Sequence, residues 1–219
     1  MSNEDLTELE RALRLGPAHA QEDLRARGTS RAAQKDARDA ARRFSERAGA
    51  RGLADVNYAS VDSPFGPLLL AGSGRGLLRL AFPEEEVDEV LDGLSRRVSP
   101  RIVEAPAQLD RSRRELDEYF AGDRHAFELP LDWTLVGPFG RRVLSAAAAI
   151  PYGDVHTYTQ IATKAGSPRG SRAAGNALGA NPIPIVVPCH RVLRGSGALG
   201  GYAGGLERKQ FLLELEGAR

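Results

Sequence analysis

Cysteine is nearly absent from this chain: 219 residues contain one, Cys189. A single thiol excludes an internal disulfide framework and a thiolate-bound zinc cluster, and it predicts a reducing compartment in which a free thiol survives. Long apolar runs are missing as well. Nothing approaches the ~20 apolar residues of a membrane span, and no basic-then-apolar leader opens the sequence. A soluble cytoplasmic protein with no membrane partner is therefore expected. Charge of one sign is also lacking: 30 Lys and Arg against 29 Asp and Glu leave +1, which by itself names no partner. No cofactor motif is present, and His19 and His125 alone do not make a metal site, so neither a cofactor nor a metal is expected.

The distribution of charge says more than its sum. Residues 53–133 carry 9 basic and 16 acidic side chains, whereas residues 134–219 carry 10 basic and 4 acidic ones. A basic C-terminal third would be drawn to nucleic acid by counterion release; an ordinary uneven surface is the alternative. Residues 1–52 read as an appendage. Leu6, Leu9 and Leu13 recur at helical spacing until Gly16-Pro17 breaks the pattern. The Ala- and Arg-rich stretch from Ser30 to Ala50 has one large apolar group, Phe44, so an exposed helix or partial disorder is expected. A solvated face is the plainer reading of its arginines, a DNA-contacting arm the sharper one, and any partner of this extension is unidentified.

From Leu53 to Trp133 the pattern predicts an α/β domain. Strands over Val56–Val61, Pro67–Ala71 and Leu77–Phe82 are separated by Pro- and Gly-containing turns and form an antiparallel meander. Helices follow over Glu85–Arg97 and Ala107–Phe120, with Leu109, Leu116, Tyr119 and Phe120 on the apolar stripe and no evident chemistry. From Thr134 onward, helices are predicted over Phe139–Ile150, Tyr158–Ala165 (started by Thr157 or its neighbours) and Ser171–Ala180. The last two flank Gly166-Ser167-Pro168, a helix-turn-helix candidate. The fold class is α+β in three segments: 1–52, 53–133 and 134–219.

The chemistry gathers in Asn181-Pro182-Ile183-Pro184-Ile185-Val186-Val187-Pro188-Cys189-His190-Arg191-Val192, where a β-branched apolar run ends at the thiol beside a histidine. A thiolate is the attacking species, and an adjacent base governs how much of it forms. The run, together with Gly201-Tyr202-Ala203-Gly204-Gly205-Leu206, Lys209 and Leu212 to Gly217, resembles the methylated-DNA–protein-cysteine methyltransferases from near Phe139 to the C-terminus, and less closely back to Leu53. That resemblance implies a ribonuclease-H-like scaffold followed by a winged-helix-like domain. It also implies irreversible transfer of an alkyl group from O6 of guanine, and from O4 of thymine, in double-stranded DNA to Cys189.

The same resemblance implies the roles. His190 takes the thiol proton, Glu216 orients the imidazole, and Tyr158 serves the base and its phosphate. Arg172 fills the stack left by a flipped base, with small Ala173, Ala174 and Gly175 behind it, and Asn181 braces the turn between the recognition helix and an active-site strand. Val192, Tyr202, Ala203, Gly204, Gly205 and Lys209 surround the base. Glu214 competes with Glu216 for the carboxylate role. No second cysteine accepts the alkyl group, so a monomer acting once is expected. A lesion sensor without transfer, a Cys-His-Glu hydrolase and a helix-turn-helix regulator are the rival readings; the retained Cys189, the lack of an oxyanion motif and the few base-reading side chains count against them in turn.

Overall fold

The computed structural model describes residues 51–218 and, before them, positions 35, 36, 39–41, 43 and 47–49. The helical spacing of Leu6, Leu9 and Leu13 lies outside the described residues; of the two readings of the Ala-rich stretch, the described positions between 35 and 49 take the helical one, with Ala48 buried rather than exposed.

The meander forms as expected. Strands β1 (Val56–Val61), β2 (Leu68–Ser73) and β3 (Gly76–Ala81) pair antiparallel, Val56 opposite Ser73 and Val61 opposite Leu68 at the first hairpin. The turn closes because the Ser63 hydroxyl donates to the Gly66 carbonyl at 2.6 Å and accepts from the Phe65 N–H at 3.1 Å. A fourth strand, β4 (Ile102–Glu104), lies parallel to β1 and makes the order β3-β2-β1-β4. Three residues carry no readable alternation, so β4 left no mark in the sequence.

Helix α1 (Val87–Arg97) starts two residues later than predicted because Glu85 accepts from the Phe82 N–H and pairs with Arg79. Helix α2 (Asp110–Phe120) is entered through a 3-10 turn over Pro106–Leu109. The predicted stripe faces inward: Leu109, Leu116 and Tyr119 are buried.

The connection to the C-terminal half is strapped to the sheet. Leu77 N–H donates to the Pro130 carbonyl, and Asp132 N–H returns a bond to the Leu77 carbonyl, both at 2.8 Å. Helix α3 (Pro138–Ala148) opens on a proline, where the missing N–H costs nothing, and stops ahead of Pro151. Helix α4 (Tyr158–Lys164) starts at a reciprocal cap: the Thr157 hydroxyl accepts from Gln160 N–H and the Gln160 side chain accepts from Thr157 N–H. Gly166, at φ 77°, reverses the chain toward helix α5 (Ser171–Gly179). Two-residue strands β5 (His156–Thr157) and β6 (Val192–Leu193) run parallel, and helix α6 (Leu206–Leu215) closes the fold. One apolar cluster joins Leu68, Leu80, Leu116 and Tyr119 of the first half to Val143, Ile161, Ile185 and Leu212 of the second.

The run before the cysteine is not a strand. Pro182, Pro184 and Pro188 remove three of the N–H donors that a ladder needs, and tight turns form instead. Val186 N–H donates to the Pro184 carbonyl, Val187 N–H to the Ile183 carbonyl and Cys189 N–H to the Val187 carbonyl, at 2.8–2.9 Å. Ile185 takes φ 73°, a conformation costly for a β-branched residue. That strain, about 1–3 kcal/mol, is offset by complete burial of Ile183, Ile185 and Val187. The thiol is thereby presented from a 3-10 turn, Cys189–Arg191.

Candidate active site

Cys189 lies at the inner end of a cavity of about 560 Å³, walled by Tyr158, Arg172, Gly175, Tyr202 and Ala203 and ringed by α5 and the glycine-rich loop. The residue is 4% exposed. Burial pushes its thiol up to about 11, against the opposing pull of the Asn181 hydrogen bond and the Lys209 charge, so at rest the sulfur carries its proton. Asn181 comes closer to the chemistry than a turn brace. Its Nδ2 donates to the Val187 carbonyl at 2.9 Å and to Cys189 Sγ at 3.2 Å, while its Oδ1 accepts from Ile183 N–H at 3.0 Å.

Behind the thiol is a buried polar group. His190 Nε2 lies 2.8 Å from Glu216 Oε1, and Nδ1 has no hydrogen-bond partner among the described residues. Glu216 caps the C-terminus of α6, whereas Glu214 is exposed and accepts from Gln210, so the helix phase separates the two carboxylates. Arg191 grips the same carboxylate at 2.8 and 2.9 Å and donates to the Ile150 carbonyl at 2.6 Å. Burial alone would raise Glu216, but the bonds from His190 and Arg191 outweigh it and hold the carboxyl down at about 2. His190 is shifted downward by burial, which outweighs the Glu216 hydrogen bond, and is a neutral base at neutral pH. With Nε2–H bound to the carboxylate, Nδ1 is the atom able to accept a proton.

The other predicted residues divide. Tyr158 lines the cavity and donates from its hydroxyl to the Gly201 carbonyl at 3.3 Å; burial and the neighbouring Cys189 push its pKa up, so it remains a donor. Gly200, at φ 68°, lets the backbone close on that ring, since a Cβ there would sit 2.7 Å from the Tyr158 hydroxyl. Arg172 is exposed at the cavity wall, with Ala173 exposed beside it. Tyr202 and Ala203 both face the cavity.

Expectations for five residues need correcting. Ala174 points into the core and is fully buried, because it lies on the opposite face of α5 from Arg172 and Asn176. Lys209 is fully buried and donates from Nζ to the Val192 carbonyl at 2.6 Å, so that carbonyl is tied to a lysine and neither residue walls the cavity. Gly204 approaches the Phe82 ring, where a Cβ would meet carbon at 2.6 Å. Gly204 and Gly205 border a second, adjoining cavity with Phe65, Arg208 and Phe211. Sequence reasoning also passed over Arg191, Arg194 and Tyr119. Arg191 follows the Cys-His pair directly, and an arginine in an apolar run was the available signal.

Comparison with known proteins agrees with this arrangement. Residues 56–133 match the model of the 6-O-methylguanine DNA methyltransferase ribonuclease-like domain, and residues 138–218 match that of the 6-O-methylguanine DNA methyltransferase DNA binding domain. The methylated-DNA–protein-cysteine methyltransferase of Mycobacterium tuberculosis strain H37Rv is 42% identical over 165 residues, 75% of this chain and 94% of the relative. That of Methanosarcina acetivorans is 42% identical, over 74% of this chain and 98% of the relative. The crystal structure of Mycobacterium tuberculosis OGT in complex with DNA superimposes with a TM-score of 0.64 at 40% identity, covering 74% of this chain and 93% of that one. With both halves matched in order and the thiol, imidazole and carboxylate gathered at one cavity, the chain belongs to the methylated-DNA–protein-cysteine methyltransferase family.

Proposed function

We propose that this protein repairs alkylated duplex DNA by moving the alkyl group of O6-alkylguanine, and secondarily of O4-alkylthymine, irreversibly onto Cys189. The observation that carries the reading is the buried thiol at the inner end of an open cavity, held by Asn181 and backed by the His190–Glu216 pair. A thiol so deep cannot meet a base inside a stacked duplex, so the base must swing out. Arg172, exposed at the cavity wall, is placed to fill the gap it leaves, and exposed Arg194 adds charge for backbone phosphate.

The proton on Sγ passes to His190 Nδ1 through an intervening water, and the Glu216 carboxylate steadies the imidazolium that results. Sulfur then attacks the alkyl carbon in line with the carbon–oxygen bond. That bond breaks, the sulfur–carbon bond forms, and the electron pair leaves on guanine. The Tyr158 hydroxyl donates toward the departing base, and the proton taken from sulfur returns to it. Thiol and O6-alkylguanine thus become thioether and guanine, with no cofactor. Among the described residues no second cysteine can take the alkyl group, so each chain acts once.

Intact-protein mass after mixing with excess duplex carrying one O6-methylguanine is the test. Wild type gains one CH2 per chain on the Cys189 peptide, and Cys189→Ala gains none. A wild type that binds the lesion duplex without gaining mass overturns transfer in favour of a lesion sensor.

A further inference from the structure

The first half of the chain reads as a scaffold, yet one of its side chains reaches the catalytic carboxylate. Tyr119, on α2, donates from its hydroxyl to Glu216 Oε1 at 2.6 Å across 97 residues of sequence. It is fully buried and packed against Phe127 and Tyr152 at ring separations of 5.2 and 6.3 Å, so its hydroxyl has little freedom to turn elsewhere. The accepting oxygen is the one that meets His190 Nε2 and Arg191 Nη2.

We propose that Tyr119 is a positioning residue for alkyl transfer, through which the ribonuclease-like half sets the proton affinity of His190 by sharing the Glu216 carboxylate. This rests on the reading of His190 as the base for Cys189. Each donor on a carboxylate disperses its charge and weakens its hold on the others. With Tyr119 and the Arg191 fork both donating, Glu216 orients the imidazole without drawing a proton onto it. His190 remains neutral and able to receive the thiol proton. The phenol stays a donor throughout, since burial and the adjacent carboxylate hold its proton firmly.

The other groups facing this pair are Arg191 and Cys189 on the same turn, Tyr152 after α3 with His125 stacked on it at 4.1 Å, Tyr202 on the glycine-rich loop and Lys209 on α6. None of them is substituted in Tyr119→Phe, so a comparison of variants reads the loss of the phenol hydroxyl.

The experiment follows the single-turnover transfer rate against pH in wild type and Tyr119→Phe, with the His190 titration read by NMR in both free proteins. Loss of one hydrogen bond to the carboxylate should raise the acid limb, and the His190 titration with it, by roughly half to one pH unit. The rate then falls about three- to tenfold below the limb and is unchanged above it. Site-specific 3-fluorotyrosine at position 119, a stronger donor of nearly the same shape, should move both in the opposite direction, and it keeps the test open should the phenylalanine variant not fold. A rate lowered equally at every pH, with His190 titrating as in wild type, overturns the proposal and leaves Tyr119 a packing residue. If wild type transfers no alkyl group the functional reading fails, while the His190 titration still decides whether Tyr119 governs the imidazole.

Discussion

Replacing Asn181 by alanine separates stability from chemistry at this site. Its side chain satisfies Ile183 N–H and the Val187 carbonyl, both buried, and donates to Cys189 Sγ. Orphaning the two backbone groups costs about 1–3 kcal/mol each, roughly 2–6 kcal/mol in all. That is a large share of the ~5–15 kcal/mol that holds a domain folded, so the variant should be studied at low temperature with its melting curve recorded. The third bond acts on the rate. It strengthens as charge gathers on sulfur, and a hydrogen bond to a charged group is worth about 1.5–3 kcal/mol, or roughly 10- to 100-fold in transfer rate. Asn181 does not wall the cavity, so affinity for the lesion duplex should hold. Rapid-quench single-turnover kinetics beside equilibrium binding measures both. Asn181→Asp serves as companion, since it keeps the acceptor for Ile183 and places an anion beside the sulfur; it should be more stable than the alanine variant and at least as slow. A folded alanine variant that transfers at the wild-type rate would refute the assignment of a donor role to this side chain.

Two further outcomes are expected. Because the Glu216 carboxyl is held down at about 2, its contribution to stability is fully present above the ordinary carboxylate value near 4.5 and is lost as pH falls toward 2; buried neutral His190, shifted downward from 6.5, adds a loss that begins below that value. Urea midpoints from pH 7 to 3 should therefore fall more steeply in wild type than in Glu216→Gln, and equal slopes would assign the acid sensitivity to other carboxylates. Gly200→Ala places a Cβ against the Tyr158 ring at φ 68°, costing about 1–2 kcal/mol for the backbone alone and displacing the phenol. Transfer should slow while Cys189 still reacts with a small thiol reagent, and an unchanged transfer rate would show that the position of Tyr158 is immaterial.

Local pattern carried much of the architecture. The strand-like run Val56–Val61, the turn residues Ser63 to Gly66, the Thr157 cap and the Gly166 reversal act within a few residues, and each formed as read. Helix starts at Glu85 and Ala107 were misplaced because Glu85 serves a turn and Pro106 opens a 3-10 segment. The resemblance implies an active-site strand before Cys189, but three prolines deny that run a ladder.

Nearest-neighbour chemistry was enough to single out Cys189 and His190, since thiol and base are adjacent, whereas Asn181 was marked only by the family resemblance. Which carboxylate serves His190 depended on the phase of α6, which turns Glu216 inward and Glu214 to solvent. Folding likewise turned Ala174 away from the surface it seemed to share with Arg172 and drew Lys209 under the Val192 carbonyl. It also brought Tyr119 to the same oxygen as His190. Spacing along the chain conveys which residues share a strand or a helical face; contacts across 97 residues arise only when two halves bury one core, and a buried hydroxyl must then find whatever acceptor that packing leaves within reach.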